Sequence, residues 1–479
     1  MPVQTGAISA AMLARQLGAW RPADSRRPSY VALAEAVRLL MLDGRVPVGT
    51  SLPSERTLAG ALDVSRTTVT TAYADLRESG HLQSRQGARS VLTLPVSVAS
   101  EPTDEAGDAI GLNIAAPSSP DGVVHDAYRY AVSALPPYLT GVGLYPSGIH
   151  PLKAAIARRY TARGLPTSPD QILVTAGAQH ALRILLDALV PPGGVVVVEQ
   201  PTHHGTVSAL QRHAARAVPL GLHPETGWDM DNLESLVRRR NPRMIFTIAD
   251  FHNPTGLLLD AQGRAEMTRI AARRQVPLVV DETMVELGLD TEAPPPVASY
   301  GTNVYTIGSA SKTVWAGLRV GWIRADTTSV ARFALARKDI DLGSPVLEQL
   351  AAAYALDHLD EFLPARRDAL RAQRAAALEE LSRRLPEATT VPGPGGLCLW
   401  VALPAPLAVP TATTAARLGV RITPGSAFTV DGAGQRHIRI PYTLPEPILR
   451  QAVSIVGEAY RQAAGGGVVG DERSLGLVV

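Results

Sequence analysis

The chain holds a single cysteine, Cys398, in 479 residues. One thiol cannot build an internal disulfide framework or a multi-cysteine zinc site, so no metal centre is expected, and a small buried apolar position is its natural place. No apolar run approaches the roughly 18–20 residues that a membrane-crossing helix needs. Met1 to Trp20 includes an apolar stretch, but Arg15 and Gln16 interrupt it and no basic start precedes it. A secretory signal is therefore not expected, and the reading is a cytoplasmic protein with no membrane partner. An excess of one charge is missing too: the formal net charge is +2, and residues 30–95 carry seven Arg and no Lys against six Asp/Glu. Affinity for nucleic acid would have to come from where the arginines stand, not from overall charge. No internal repeat is visible.

What is present is a globular composition, 46% hydrophobic and 19% charged, on a chain long enough for at least two domains. After an N-terminal extension (1–28), residues 29–94 read as three helices and a hairpin. Leu33, Val37, Leu40 and Met41 make an apolar stripe at helical spacing ending near Gly44. Ser54 can cap a second helix beginning at Glu55. Ser65 can cap a third, whose buried face is Val69, Ala72, Tyr73 and Leu76 and whose stop is Gly80. Short strands around 81–84 and 90–94 would flank Arg85-Gln-Gly-Ala-Arg89 as a wing. Residues 95–112 are assigned as a linker, from a Ser/Glu/Asp/Pro-rich stretch without apolar period. Strand-like runs at 171–176, 194–199, 243–249, 276–280 and 303–308 then alternate with amphipathic stretches, as in a mainly parallel sheet covered on both faces. A long helix at 361–385 leads into a smaller α+β unit (about 381–463), with strands near 397–403, 420–423 and 437–440 and a last helix at 446–463. Residues 464–479 read as a flexible tail.

Four blocks in order, Gly49-Thr-Ser-Leu-Pro-Ser-Glu-Arg56, Val64-Ser-Arg-Thr-Thr-Val69, Gly80-His-Leu and Arg85-Gln-Gly87, resemble the winged helix-turn-helix of GntR-type regulators. A helix lying in the major groove sets its N-terminal residues against base edges, while phosphates are held by arginines, hydroxyls and amides. The resemblance implies a double-stranded DNA partner, with contacts from Arg56, Ser65, Arg66, Thr67, Thr68 and Thr70, and with Gln86 and Gly87 entering the minor groove at the wing tip. Thr70 stands where many members carry Arg.

The strongest chemical signal is Ser309-Ala-Ser-Lys-Thr313 followed by Gly317-Leu-Arg-Val-Gly321. A lysine in a Ser/Gly-rich turn after a buried strand can join an aldehyde as a Schiff base, while hydroxyls and an arginine hold a phosphate. Asp281 ends an apolar strand, where a carboxylate can keep a pyridine nitrogen protonated. Asn253, in His252-Asn-Pro-Thr-Gly256, can donate to a ring oxygen. Ala176-Gly-Ala-Gln179 lies between a strand and a helix, so its amides can cradle a phosphate at the positive helix terminus. These blocks resemble the fold type I aminotransferases over residues 113–463, which implies pyridoxal 5'-phosphate as cofactor. By that resemblance Lys312 is the Schiff-base lysine and Asp281 the pyridine partner. Arg319, Ser309, Ser311, Ala178 and Gln179 surround the phosphate, and His203 takes the place of an aromatic stacked on the ring. Tyr145 would reach the cofactor of a partner subunit, and Arg439 would grip an α-carboxylate. One departure is plain: Asp281-Glu-Thr-Met284 has no tyrosine to hydrogen-bond the ring oxygen, a place Thr283 would fill.

Together the two halves resemble the MocR (PdxR-like) regulators. The implied fold class is α/β multidomain, a winged helix-turn-helix ahead of a fold type I body with a large α/β/α and a small α+β part. The implied partners are DNA, an effector (an amine, an amino acid or pyridoxal phosphate itself) and a second copy in a homodimer. An active aminotransferase with an appended DNA module is the alternative. A cofactor-free scaffold is a third reading, opposed by the intact Lys312, Asp281, Asn253 and Arg319.

Overall fold

The structure, a computed structural model, describes residues 6–21, 28–42, 45–79, 81–83, 90–93, 109–120 and 122–465. The wing tip with Gln86 and Gly87, the Gly80 stop, the linker up to residue 108 and the tail beyond Gly465 lie outside the described residues.

The reader is built from α1 (Ala10–Leu17), α2 (Ser29–Leu42), α3 (Glu55–Leu62), α4 (Arg66–Glu78) and a two-stranded ribbon, β1 (Leu82–Gln83) with β2 (Val91–Leu92). Leu33, Val37, Leu40 and Met41 of α2 pack on Leu58, Val69, Tyr73 and Leu76 in one apolar core. Full burial of each such side chain is worth about 1.5–3 kcal/mol. The Ser54 hydroxyl accepts the Thr57 amide at 3.2 Å and the Ser65 hydroxyl accepts the Thr68 amide at 3.1 Å, so each cap satisfies an amide that the helix itself leaves free. The N-terminal extension is not separate from this unit. Its α1 contributes Leu13 and Leu17, and Trp20 follows, all in the same core.

β3 (Ile110–Leu112) pairs in parallel with a strand of the small domain, so the last residues assigned to the linker belong to a sheet. Only three residues long, that strand has no periodicity to detect; its partner, more than 300 residues away, makes it a strand. The body continues through α5 (Val123–Ala134), α6 (His150–Ala162), β4 (Ile172–Thr175), α7 (Ala178–Leu189), β5 (Val195–Gln200), α8 (His204–Arg212), β6 (Arg216–His223), β7 (Gly227–Trp228), α9 (Met230–Arg240), β8 (Met244–Thr247), α10 (Ala261–Arg273), β9 (Leu278–Asp281), β10 (Val304–Ser309), β11 (Gly321–Arg324), α11 (Thr327–Arg337), α12 (Val346–Asp357) and α13 (Leu359–Arg384). Over the described residues the large sheet runs β4-β11-β10-β9-β8-β5-β6-β7, with β11 and β7 antiparallel to their neighbours. Alternate residues of its strands face opposite layers: Val174, Val197, Ile245 and Leu278 enter one core, and Leu173, Val196, Met244 and Val279 the other. That period of two explains why these strands read as unbroken apolar runs.

The small domain adds β12 (Thr389–Thr390), β13 (Cys398–Ala402), α14 (Ala408–Arg417), β14 (Val420–Pro424), β15 (His437–Pro441) and α15 (Glu446–Gly465), in sheet order β12-β13-β15-β14-β3. Its core joins Leu399, Val401, Ile438 and Ile440 to Leu449, Val453 and Val456 of α15. Among the described residues no helix is long and apolar enough to cross a membrane.

Candidate functional site

Parallel strands carry the site at their C-terminal ends, where successive loops leave the sheet. Asp281 is the last residue of β9 and Ser309 the last of β10, with Lys312 in the turn that follows. The Lys312 Nζ donates to the Ala115 carbonyl at 2.7 Å. Burial, reinforced by the Arg439 charge, brings its ammonium down to about 8, so a substantial nucleophilic fraction exists near neutral pH. Burial raises the Asp281 carboxyl, opposed by Thr283, whose amide donates to Asp281 Oδ1 at 2.9 Å. A protonated ring nitrogen is the counter-charge such a carboxylate suits. The Thr283 hydroxyl also bonds Asp281. Thr283 is thus hydrogen-bonded to Asp281, the carboxylate it follows by two residues.

At the N-terminus of α7 the chain forms a tight cradle. Gly177 has φ +93°, and a Cβ there would lie 2.9 Å from the Arg319 Nη2; one on Gly321 would meet the Gly177 Cα at 2.7 Å. Arg319, at φ +52°, donates through Nη2 to the Ala176 carbonyl at 3.1 Å. The Ser309 hydroxyl donates to the Val320 carbonyl at 2.9 Å and lies 2.9 Å from the Ser311 hydroxyl. Helix amides, a guanidinium and two hydroxyls around glycines that admit no side chain fit a phosphate group. Ala178 opens α7, and Gln179 beside it lies 3.4 Å from His203 Nδ1. His203 is held well below its usual pKa by burial and then by neighbouring His204, Lys312 and Arg439; a neutral imidazole there can lie on a cationic ring without repulsion. Arg439 is buried, with its guanidinium over the Phe428 ring at 5.0 Å, Nη1 3.5 Å from Asn253 Oδ1 and Nη2 donating to the Asn113 carbonyl.

Several neighbours escaped the sequence reading. The carbonyls of Asn113 and Ala115 come from the strap after β3, Phe428 from the turn after β14, and His204 stacks edge-on to Phe428 at 5.7 Å between centroids. Cys398 is buried as expected, but close enough to Lys312 and Arg439 for their charges to act on its thiol. No motif marks any of these; only the folded chain brings them in. Tyr145 is not gathered with them. It sits edge-on to Tyr138 at 5.7 Å, beside the exposed Leu139, Val142 and Leu144. Among the described residues no group of three or more His, Cys, Asp or Glu is placed to hold a metal.

On the reader, Arg56 is exposed in the first turn of α3, and Ser65, Arg66 and Thr67 are exposed at the start of α4. The Thr68 hydroxyl lies 2.8 Å from that of Ser65, and the Thr70 hydroxyl donates to Glu55 at 2.8 Å. Thr70 is thus hydrogen-bonded within the domain, while Ser65, Arg66 and Thr67 are exposed at the start of α4.

Fold and site define a DNA reader joined to an aminotransferase-type body. Residues 141–456 match the family Aminotransferase class I and II, and residues 29–92 match Bacterial regulatory proteins, gntR family. The chain is similar, at 28% identity over 89% of its length and 95% of the relative's, to the uncharacterized HTH-type transcriptional regulator YisV of Bacillus subtilis. It is 31% identical, over 63% of its length and 66% of the relative's, to the probable rhizopine catabolism regulatory protein MocR of Rhizobium meliloti. The crystal structure of LysN, the α-aminoadipate aminotransferase of Thermus thermophilus, superposes with a TM-score of 0.69 at 25% identity, covering 75% of this chain and 94% of that one. The chain belongs to the class I and II aminotransferase family, and its front module matches the gntR family of bacterial regulatory proteins, an order consistent with the MocR-type regulators.

Proposed function

We propose that this protein is a pyridoxal 5'-phosphate-dependent transcription regulator, working in the cytoplasm as a homodimer, whose body senses a small amine-bearing effector and passes the result to its DNA reader. The observation that carries the reading is the convergence of the Lys312 amine, the Asp281 carboxylate, the Gly177–Arg319 cradle and Arg439 on one site. When bound, pyridoxal phosphate supplies an electrophilic carbon for amines and a ring that accepts electrons. Lys312 offers the amine that captures it, and Asp281 holds a proton on the ring nitrogen. Arg319, Ser309, Ser311, Ala178 and Gln179 would hold the phosphate, His203 would lie against the ring, and Asn253 would donate to its oxygen. Arg439, with its planar fork, suits an effector carboxylate.

Sensing is favoured over fast turnover by the absent tyrosine after Asp281. Thr283, hydrogen-bonded to Asp281, is the residue proposed in that tyrosine's place, and a shorter side chain there would tune the ring oxygen less strongly. Arg56, Arg66 and Thr67 stand free for DNA, and the wing residues Gln86 and Gly87 are proposed to join them. The exposed apolar Leu139, Val142 and Leu144 beside Tyr145 suit the face where a second copy would bring Tyr145 to its neighbour's cofactor. The test is the visible absorption of the purified protein with added pyridoxal phosphate, beside Lys312→Ala. A band that the substitution removes supports the sensor. No band in either protein would leave a DNA-binding scaffold without a cofactor.

A further inference from the structure

The reader is seated on the small domain through a buried arginine. Arg45, in the loop after α2, is 4% exposed, and its Nη1 donates to the Ser426 hydroxyl at 2.5 Å and to the Gln16 carbonyl of α1 at 3.4 Å. Around this contact Arg417 of α14 pairs with Glu35 of α2 at 3.1 Å, and Leu39 packs against the small-domain core. A Cβ on Gly432 would meet the Gln16 Cα at 3.0 Å, so the two surfaces are in close contact.

Ser426 belongs to the turn Gly425–Phe428, which also forms one wall of the effector site. Two residues on, the Phe428 ring lies beneath the Arg439 guanidinium and edge-on to His204, while the Phe428 carbonyl accepts the Thr202 amide at 2.8 Å. On its other side the turn is locked to β15. A Cβ on Gly425 would stand 2.6 Å from the His437 carbonyl and 2.4 Å from that of Gly434, and Arg439 is two residues from His437. The turn cannot shift without moving either the ring under Arg439 or the strand that carries it, because packed interiors move in discrete steps and do not deform smoothly.

We infer that Arg45 of the DNA reader is a positioning residue of the effector site, acting through Ser426 and Phe428 to set the Arg439 guanidinium for an effector carboxylate. The inference rests on the sensor reading above and names the residue through which reader and site communicate. An effector that draws Arg439 off the Phe428 ring loosens the seat of Arg45. A reader that leaves its seat weakens the carboxylate grip by the same factor, as linkage requires.

The test uses the full-length protein loaded with pyridoxal phosphate and titrated with L-alanine, a probe carrying both amine and carboxylate, with affinity read from the change in visible absorption. Arg45→Met keeps the aliphatic stem and loses the donor. It should weaken L-alanine about five-fold or more with cofactor loading and melting temperature retained. Arg45→Lys, which can still donate to Ser426, should recover most of the loss, which a packing role alone would not explain. Ser426→Ala should weaken the probe similarly, and the double variant should be no worse than either single one. If Arg45→Met does not fold, Ser426→Ala with its unchanged backbone decides the matter alone. Wild-type binding that both substitutions leave intact, or additive losses in the double variant, would overturn this inference and spare the sensor. No response of the wild type to L-alanine would remove the carboxylate role of Arg439, and the inference with it.

Discussion

A buried lysine with cationic neighbours loses its proton early, and Lys312 is in that position because the burial of the turn and Arg439 both penalise its charge. Its amine is depressed to about 8, so the neutral form dominates above that value and declines roughly ten-fold per pH unit below it. The rate at which cofactor-free protein takes up pyridoxal phosphate, followed by visible absorbance, should climb with pH through about 8 and then level off; a rate indifferent to pH across that value would contradict the assignment. The structure gathers Lys312, Asp281, Arg319 and Arg439 in one place, the first three expected from their local motifs and Arg439 only from the family resemblance. Phe428, His204, Cys398 and the carbonyls of Asn113 and Ala115 were not legible in the sequence, because packing or backbone direction, and no motif, brings them to the site. The bond between the Thr283 amide and Asp281 was not legible either, since it depends on how the backbone turns after β9.

The elements divide in the same way. Fully buried strands such as β5, with Val195–Gln200, and β9, with Leu278–Asp281, declare themselves through apolar runs. β6 did not, since Pro219 and Gly221 break its pattern, and neither did β11, four residues long and antiparallel. The caps of α3 and α4, Ser54 and Ser65, were visible. Removing the one at α4 with Ser65→Ala should cost about 1 kcal/mol of stability and lower DNA affinity while leaving the cofactor absorption unchanged; equal melting temperatures would argue against the cap. In the body, the Arg264 guanidinium from α10 is fully buried and donates to Asp250 at 2.5 Å, to the Leu259 carbonyl at 2.8 Å and to that of Pro295 at 3.1 Å. Arg264→Met leaves Asp250 buried without its cation and should cost about 3–5 kcal/mol, read as a lowered denaturation midpoint; a midpoint within error of wild type would show that the pair carries no such load.

At the scale of the whole molecule, the order of reader and body could be read from motifs, but their mutual seating could not: Arg45 and Ser426 are separated by most of the chain and belong to no pattern. The same holds for the exposed apolar segment near Tyr145. Val142, 88% exposed, should tolerate Asp in an isolated subunit. In the homodimer that we propose, Val142→Asp together with Leu139→Asp should shift sedimentation toward the monomer and weaken cofactor retention. The central claim is that the body governs the reader. Its most direct test is the affinity of the full-length protein, by fluorescence anisotropy at one fixed salt concentration, for a duplex selected from random-sequence DNA, measured with and without pyridoxal phosphate and repeated for Lys312→Ala. The account predicts that the cofactor changes wild-type affinity by about five-fold or more and leaves the variant unmoved; equal wild-type affinity in its presence and absence would contradict it.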